Sequence, residues 1–175
     1  MKTKFLLTLA FALAASTLSA EDARWWKGNL HTHSLWSDGD DYPEMIADWY
    51  RSNGYHFLAI SDHNVLEEGQ RWIHREKNAG GQQAFDKYLK HFGDDWVEHK
   101  VVKGVPQVRL KTYAEYRPKM AVPGSFLLME SEEISDQFQG LPIHINVTNI
   151  KKQIPPQGGA GVAATMQKNI DAVLA

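Results

Sequence analysis

The 175-residue sequence predicts an α/β domain. A strand–helix–strand pattern runs from Trp25 to Ser61, the pattern of two parallel strands joined by a crossover helix. Both strands end in metal-capable side chains. Two later apolar segments also end in acidic or imidazole residues, and an amphipathic helix follows them. A length of 175 residues suits one modest domain with its own core. With 43% hydrophobic and 23% charged residues, disorder of the whole chain is excluded.

The first element, residues 1–20, reads as a secretory signal peptide. Lys2 and Lys4 open it, Phe5 to Ala15 is apolar, and "STLSA" supplies small residues before a cut after Ala20. The run is too short to span a bilayer, which needs about 20 residues, so export to the periplasm or medium is expected, without a membrane anchor. The mature domain is then 21–175. "WWKGNLHTH" reads as the first strand, ending in polar residues. "PEMIADWYRSNGY" is a helix: Pro43 suits the first turn, Met45, Ile46, Trp49 and Tyr50 recur at helical spacing, and Asn53-Gly54 stops it. "HFLAIS" is a short second strand closed by "DHN".

Residues 65–123 are less regular and read as an insertion. Within it "GGQQAFDKYLKHFG" is a glycine-bounded helix, and "TYAEYRPKM" opens on a capping box from Thr112 to Glu115. Its basic residues, Lys100, Lys103, Arg109, Lys111, Arg117 and Lys119, read as a solvated surface. The sharper alternative is a cation offered to an anionic substrate. "SFLLMESEEIS" is a third strand and "LPIHINVTNI" a fourth, with His144 and Asn146 on one face by the period of two. The helix of "GVAATMQKNIDAVLA" follows a proline- and glycine-rich loop.

The absence of cysteine excludes disulfides and thiolate metal sites. The formal charge is −2, and loss of Lys2 and Lys4 leaves 17 basic against 21 acidic residues. That balance argues against a nucleic-acid partner. Eleven positions, 31–41, hold His31, His33, Asp38, Asp40 and Asp41. His31 and His33 alternate, so on a strand both rings point one way, and two neutral imidazoles can chelate a divalent ion. Asp38 sits in a Ser-Asp-Gly turn and reads either as turn chemistry or as a ligand. His63 reads either as a capped core histidine or as a ligand. Asp40 and Asp41 are the acidic entrance to the first helix. Trp25-Trp26 and the other tryptophans read as core packing in preference to a glycan platform. Asn146-Val147-Thr148 matches a glycosylation sequon, but its neighbour His144 argues for a buried site role. His56, His74, His91 and His99 lack a partnered motif.

The order of these pieces resembles the PHP (polymerase and histidinol phosphatase) superfamily. "HTHSLWSDG", "LAISDHN", "ESEEIS" and "PIHIN" carry the resemblance across roughly Lys27 to Asn149, with the insertion unmatched. It implies a distorted (β/α)7 TIM-like barrel and two or three divalent ions of manganese, zinc or iron. His31 and His33 resemble the first ligand pair; Asp38 and His63 resemble those of a neighbouring position. Glu133 resembles the metal-bridging glutamate, with Ser131 where the family has glycine, and His144 resembles the ligand on the following strand. Glu130 and Glu132 are near alternatives to Glu133, although alternation turns Glu132 away from it. Asp62, Asn64 and Asn146 are expected behind the ligands, orienting rings and water.

The implied activity is phosphoester hydrolysis of a small phosphorylated substrate, by a metal-activated hydroxide held by His31, His33 and Glu133. The family draws further ligands, a histidine and an Asp-x-His, from later strands, and none follows His144. The sequence therefore reads as the N-terminal portion of such a barrel, apparently truncated. Two alternatives are an amidohydrolase-type hydrolase and a non-catalytic metal- or glycan-binding remnant. The first would add a bridging lysine at a strand end, where this chain has Glu133.

Overall fold

A computed structural model describes residues 23–175, so the signal-peptide reading of 1–20 lies outside the described residues. The fold is mixed α/β. Strand β1 (Gly28–Asn29) pairs in parallel with β2 (Phe57–Ile60), and β2 pairs in parallel with β6 (Leu127–Phe138). Helix α1 (Pro43–Ser52) forms the crossover, with Pro43 at its start and Asn53 as its C-cap. The run from β1 through α1 to β2 matches the sequence expectation.

The first strand is shorter than "WWKGNLHTH" suggests. Asn29 Oδ1 accepts a hydrogen bond from His31 N (3.1 Å), a side-chain bond that competes with the ladder. His31 and His33 therefore lie just past the strand. The chain touches β2 again where Ser61 N donates to Thr32 O (2.7 Å).

Strand β7 (Leu141–Thr148) corrects the topology expected of a run of crossovers. It pairs with β6 as an antiparallel hairpin, from Phe138↔Leu141 to Ser131↔Thr148. Gln139 (φ 52°) and Gly140 (φ 78°) both adopt left-handed backbone, the two-residue turn that matches strand twist. The sheet, in the order β1-β2-β6-β7, is thus parallel on one side and antiparallel on the other. Helix α4 (Val162–Leu174) covers β6 and β7, with Val173 and Ala172 against Ile134, Val147 and Ile154.

The insertion is a second layer with its own antiparallel sheet, β3-β5-β4, formed by β3 (Arg71–His74), β4 (His99–Val102) and β5 (Val105–Leu110). Its helix α2 (Gly81–Phe92) was legible in the sequence; its strands were not. The "VVKGV" hairpin was the available signal, since Lys103 (φ 50°) and Gly104 (φ 77°) make the turn. Helix α3 (Tyr113–Met120) carries the expected capping box between Thr112 and Glu115.

Two apolar clusters join the layers. Leu35, Trp36 and Tyr42 pack against Ala84, Phe85 and Tyr88 of α2 and Val108 and Leu110 of β5. Ala47, Leu58 and Ile60 pack against Tyr116 and Met120 of α3. Each such fully buried side chain contributes about 1.5–3 kcal/mol, so the turn after His33 is anchored chiefly by the insertion. The basic residues are not uniformly surface groups. Arg109 and Lys111 are buried against Glu98, and Arg109 also pairs with Glu115. Nor are the tryptophans uniformly core: Trp36 is buried, while Trp25 is 98% and Trp49 55% exposed.

Candidate metal centre

The parallel strands bring their carboxyl ends to one side of the sheet, where sites collect in α/β folds. His31 and His33 follow β1, and Asp38 lies in the turn beyond them. His63 follows β2 and bridges to Glu133 on β6. His144 stands on β7 opposite Ser135, two positions from Glu133 and so on the same face. All six sequence-predicted ligands converge.

They form three overlapping groups: His31, His33 and Glu133; His33, Asp38 and His63; His63, Glu133 and His144. Glu133 is the hub. Its Oε1 lies 3.3 Å from His31 Nε2 and 3.1 Å from His144 Nδ1. Its Oε2 lies 3.1 Å from His33 Nε2 and 2.8 Å from His63 Nδ1. His31 Nε2 and His33 Nε2 are 3.1 Å apart. Asp38 reaches His33 Nδ1 at 2.8 Å and His63 Nε2 at 3.4 Å.

These separations fit ligands of a shared ion. Two donor atoms each about 2.0–2.2 Å from a metal, at angles of 90–110°, stand roughly 2.9–3.5 Å apart. Hydrogen bonding accounts for the His33–Asp38 and His144–Glu133 Oε1 contacts but not for those of Glu133 Oε2. Glu133 Oε2 is buried and makes no hydrogen bond of sound geometry, even though two ring nitrogens lie beside it. Among the described residues no lysine or arginine pairs with Glu133 or Asp38. A buried carboxylate ringed by imidazoles is a donor set suited to a divalent cation.

The neighbours of Glu133 separate as alternation requires. Glu132 is fully buried on the opposite face, where its Oε1 accepts from Ile154 N (2.7 Å). Burial pushes its pKa up, and the Ile154 hydrogen bond opposes that. Glu130 lies outside the cluster, and burial raises its pKa as well. Slight burial acts upward on Asp38, but its hydrogen bond to His33 and the nearby His63 hold it below the usual carboxylate value.

Asp62 and Asn64 hold backbone and hydroxyls, not rings. Asp62 accepts from Ser34 N (2.9 Å), Ser34 Oγ (2.7 Å) and Ser37 Oγ (2.5 Å), clamping the turn between His33 and Asp38. Asn64 pairs through its amide with both backbone groups of Ser135 (2.8 and 2.9 Å), fixing β6 beside Glu133. Asn146 is exposed on β7 opposite Glu133, so the buried role expected of it is corrected. An exposed neighbouring strand cannot enclose its side chain.

Four further residues were missed in the sequence. Gly39 sits against the backbone of His33, and a Cβ there would lie 2.4 Å from His33 O. "SDG" therefore records close approach. Ser34 and Ser37 support Asp62, and Ser135 Oγ contacts His63 Nδ1. Asp41 accepts from Tyr42 N (2.9 Å) and pairs with Lys87 (3.0 Å), at the helix entrance as expected. His56, His74, His91 and His99 make local contacts away from the cluster.

The centre is open on one side. A recess of about 350 Å³ is lined by His31, Thr32, His33, Asp38 and Gly39. A neighbouring recess of about 590 Å³ shares Thr32 and His33 and extends to Asp40, Trp49 and Asn53. A more apolar cavity of about 570 Å³ lies at the opposite strand ends, near Trp26, Phe57 and Leu127. No helix among the described residues is long and apolar enough to cross a membrane. No protein-family model matches the chain, and no curated protein or solved structure matches it.

Proposed function

We propose that the chain is an exported, metal-dependent phosphoesterase of the PHP kind, built on the N-terminal portion of a distorted barrel. The observation that carries this reading is the convergence of His31, His33, Asp38, His63, Glu133 and His144 into three overlapping groups, two of which share Glu133. Two or three ions of manganese, zinc or iron would bind there, clamping phosphoryl oxygens and lowering the pKa of a bound water.

The chain's own residues do the rest. Glu133 and His63 bring adjoining positions together, and His33 is shared by two of the groups. Exposed His31, Asp38 and His144 leave the outer side free for a phosphate. The larger recess beside His33 has room for the organic part of a small ester. Glu133 at the bridging place favours this reading over an amidohydrolase, whose pattern puts a lysine there.

The test uses the chain stripped with chelator and reloaded with Mn²⁺, Zn²⁺ or Fe²⁺, assayed on phosphomonoesters and phosphodiesters. Turnover in the reloaded but not the stripped protein is expected. Absence of turnover on every ester with every ion contradicts the reading, and tight binding without turnover makes the chain a metal-binding protein.

A further inference from the structure

Behind the metal-facing turn lies a second acidic group that the proposed chemistry does not use. Glu67, at the start of the insertion, is buried, and its Oε1 lies 3.3 Å from Ser34 Oγ. Its Oε2 accepts a short hydrogen bond from Tyr116 Oη of α3. Ser34 Oγ also lies 2.7 Å from Asp62 Oδ2 and accepts from Trp36 N (3.1 Å).

Proton counting constrains this chain. A serine hydroxyl has one hydrogen and two lone pairs. It cannot donate to both Asp62 and Glu67: the 2.7 Å contact to Asp62 takes its hydrogen, and the 3.3 Å contact to Glu67 is then a hydrogen bond only with Glu67 as donor. Burial raises the pKa of Asp62 too, against the hydrogen bonds it accepts from Ser37 Oγ, Ser34 Oγ and Ser34 N, which occupy both of its oxygens. If Glu67 donates, Ser34 is saturated, giving one hydrogen bond and receiving two, and Glu67 still accepts from Tyr116. Burial, and next the charge of Asp62, also push the Glu67 carboxyl well above the usual range.

We infer that Glu67 is a positioning residue: a protonated carboxyl from the insertion that fixes Ser34 and, through Ser34 and Asp62, the turn holding His33 and Asp38. The inference rests on the metal-centre reading for its consequence, but not for its proton assignment. It makes the insertion a buttress of the metal site. Trp36 Nε1, which donates to Lys111 O (3.0 Å), is a second tie between the same two parts.

Glutamine reproduces a protonated glutamate here, with an amide hydrogen toward Ser34 and a carbonyl toward Tyr116. The experiment compares Glu67→Gln, Glu67→Ala and Asp62→Asn in the full chain. Two quantities are read: urea midpoint of the metal-free protein and Mn²⁺ affinity by calorimetry. Glu67→Gln is expected to keep the wild-type midpoint and to bind Mn²⁺ within about twofold of wild type. Glu67→Ala should weaken Mn²⁺ binding roughly 10–100-fold, the range for lost support behind a ligand. In the metal-free protein Asp62→Asn should unfold earlier than Glu67→Gln.

The inference is overturned if Glu67→Gln falls as far as Glu67→Ala in the metal-free protein, or if Asp62→Asn is tolerated and Glu67→Gln is not. It is also overturned if Glu67→Ala binds Mn²⁺ like wild type. A wild-type chain that binds no Mn²⁺ defeats the metal reading and the buttress role with it, while the urea midpoints still decide where the proton sits.

Discussion

The pocket around Glu133 and the pocket around Glu44 and Glu67 bury acids in opposite ways. Glu133 is surrounded by ring nitrogens of four histidines; an oxygen without a hydrogen bond is common to Glu133 and Glu44, so the ring nitrogens make the difference. Glu44 and Glu67 are surrounded by hydroxyls and an indole: Tyr88 (2.6 Å) and Trp96 (2.8 Å) donate to Glu44, and Tyr116 donates to Glu67. Imidazole nitrogens can be lone-pair donors to a metal, whereas the phenols and the indole here deliver hydrogens to the carboxyls. One pocket is thus arranged for a cation and the other for carboxyls held by hydrogen bonds. Burial, the largest influence, raises the pKa of both Glu44 and Glu67.

The sharpest way to break this comparison is Glu133→Gln against Glu44→Gln. Glu133→Gln removes the hub of two of the three ligand groups and should weaken metal binding by about 10²-fold or more, beyond the loss typical of supporting residues. Glu44→Gln, buried in the other pocket, should leave metal affinity unchanged. Calorimetric titration with Mn²⁺ measures both. Equal losses would show that the two pockets are not distinct.

Gly39→Ala comes next. Its Cβ would meet the backbone of His33 and Ser34, which cannot rotate away. Overpacking of this kind costs about 1–3 kcal/mol, and the displaced turn should lower metal affinity roughly tenfold. Urea unfolding and titration check the two effects separately. Asp38→Asn should do less. Its side chain is 66% exposed and it belongs to one ligand group only. One ion position should weaken while those centred on Glu133 remain, so bound metal per chain falls without vanishing.

The smallest expected effect is the pH dependence of metal-free stability, which should carry two opposite limbs. Hydrogen bonds from Arg109, and next from Lys111, hold Glu98 down to about 2, and Arg109 does the same for Glu115. Both are depressed in the folded chain, so their contribution is present above about pH 4.5 and is lost as pH falls toward 2. Solvent screening keeps it modest, since both acids are partly exposed. Glu44 and Glu67 are raised, so the folded state holds more protons and stability declines as pH rises above about 4.5. Urea midpoints across pH should show Glu115→Gln flattening the acid limb and Glu44→Gln flattening the decline on the other side.

The six candidate ligands were legible chiefly through the resemblance carried by the order of the motifs; local pattern alone left Asp38 and His63 open, and marked the places of others. His31, His33 and His63 close apolar strands, and Glu133 separates from Glu132 by the period of two. The crossover from β1 to β2 was legible from local pattern. The hairpin to β7 was less so: Gln139-Gly140 is a turn, but antiparallel pairing depends on which edge of β6 is free. The burial of Arg109 and Lys111 could not be read, because their partner Glu98 lies about a dozen residues away on the other arm of an unrecognised hairpin. Glu67 was invisible for a similar reason. A glutamate in "VLEEG" looks solvated until α3 places Tyr116 over it.

The central claim is that Glu133 joins neighbouring metal positions in one centre. Metal content of the purified chain, measured by elemental mass spectrometry after dialysis against Mn²⁺ or Zn²⁺, tests it most directly when repeated on Glu133→Gln. More than one ion per wild-type chain, falling to one or none in the variant, is the predicted result. A wild-type chain without bound metal, or a variant that retains the full complement, contradicts it.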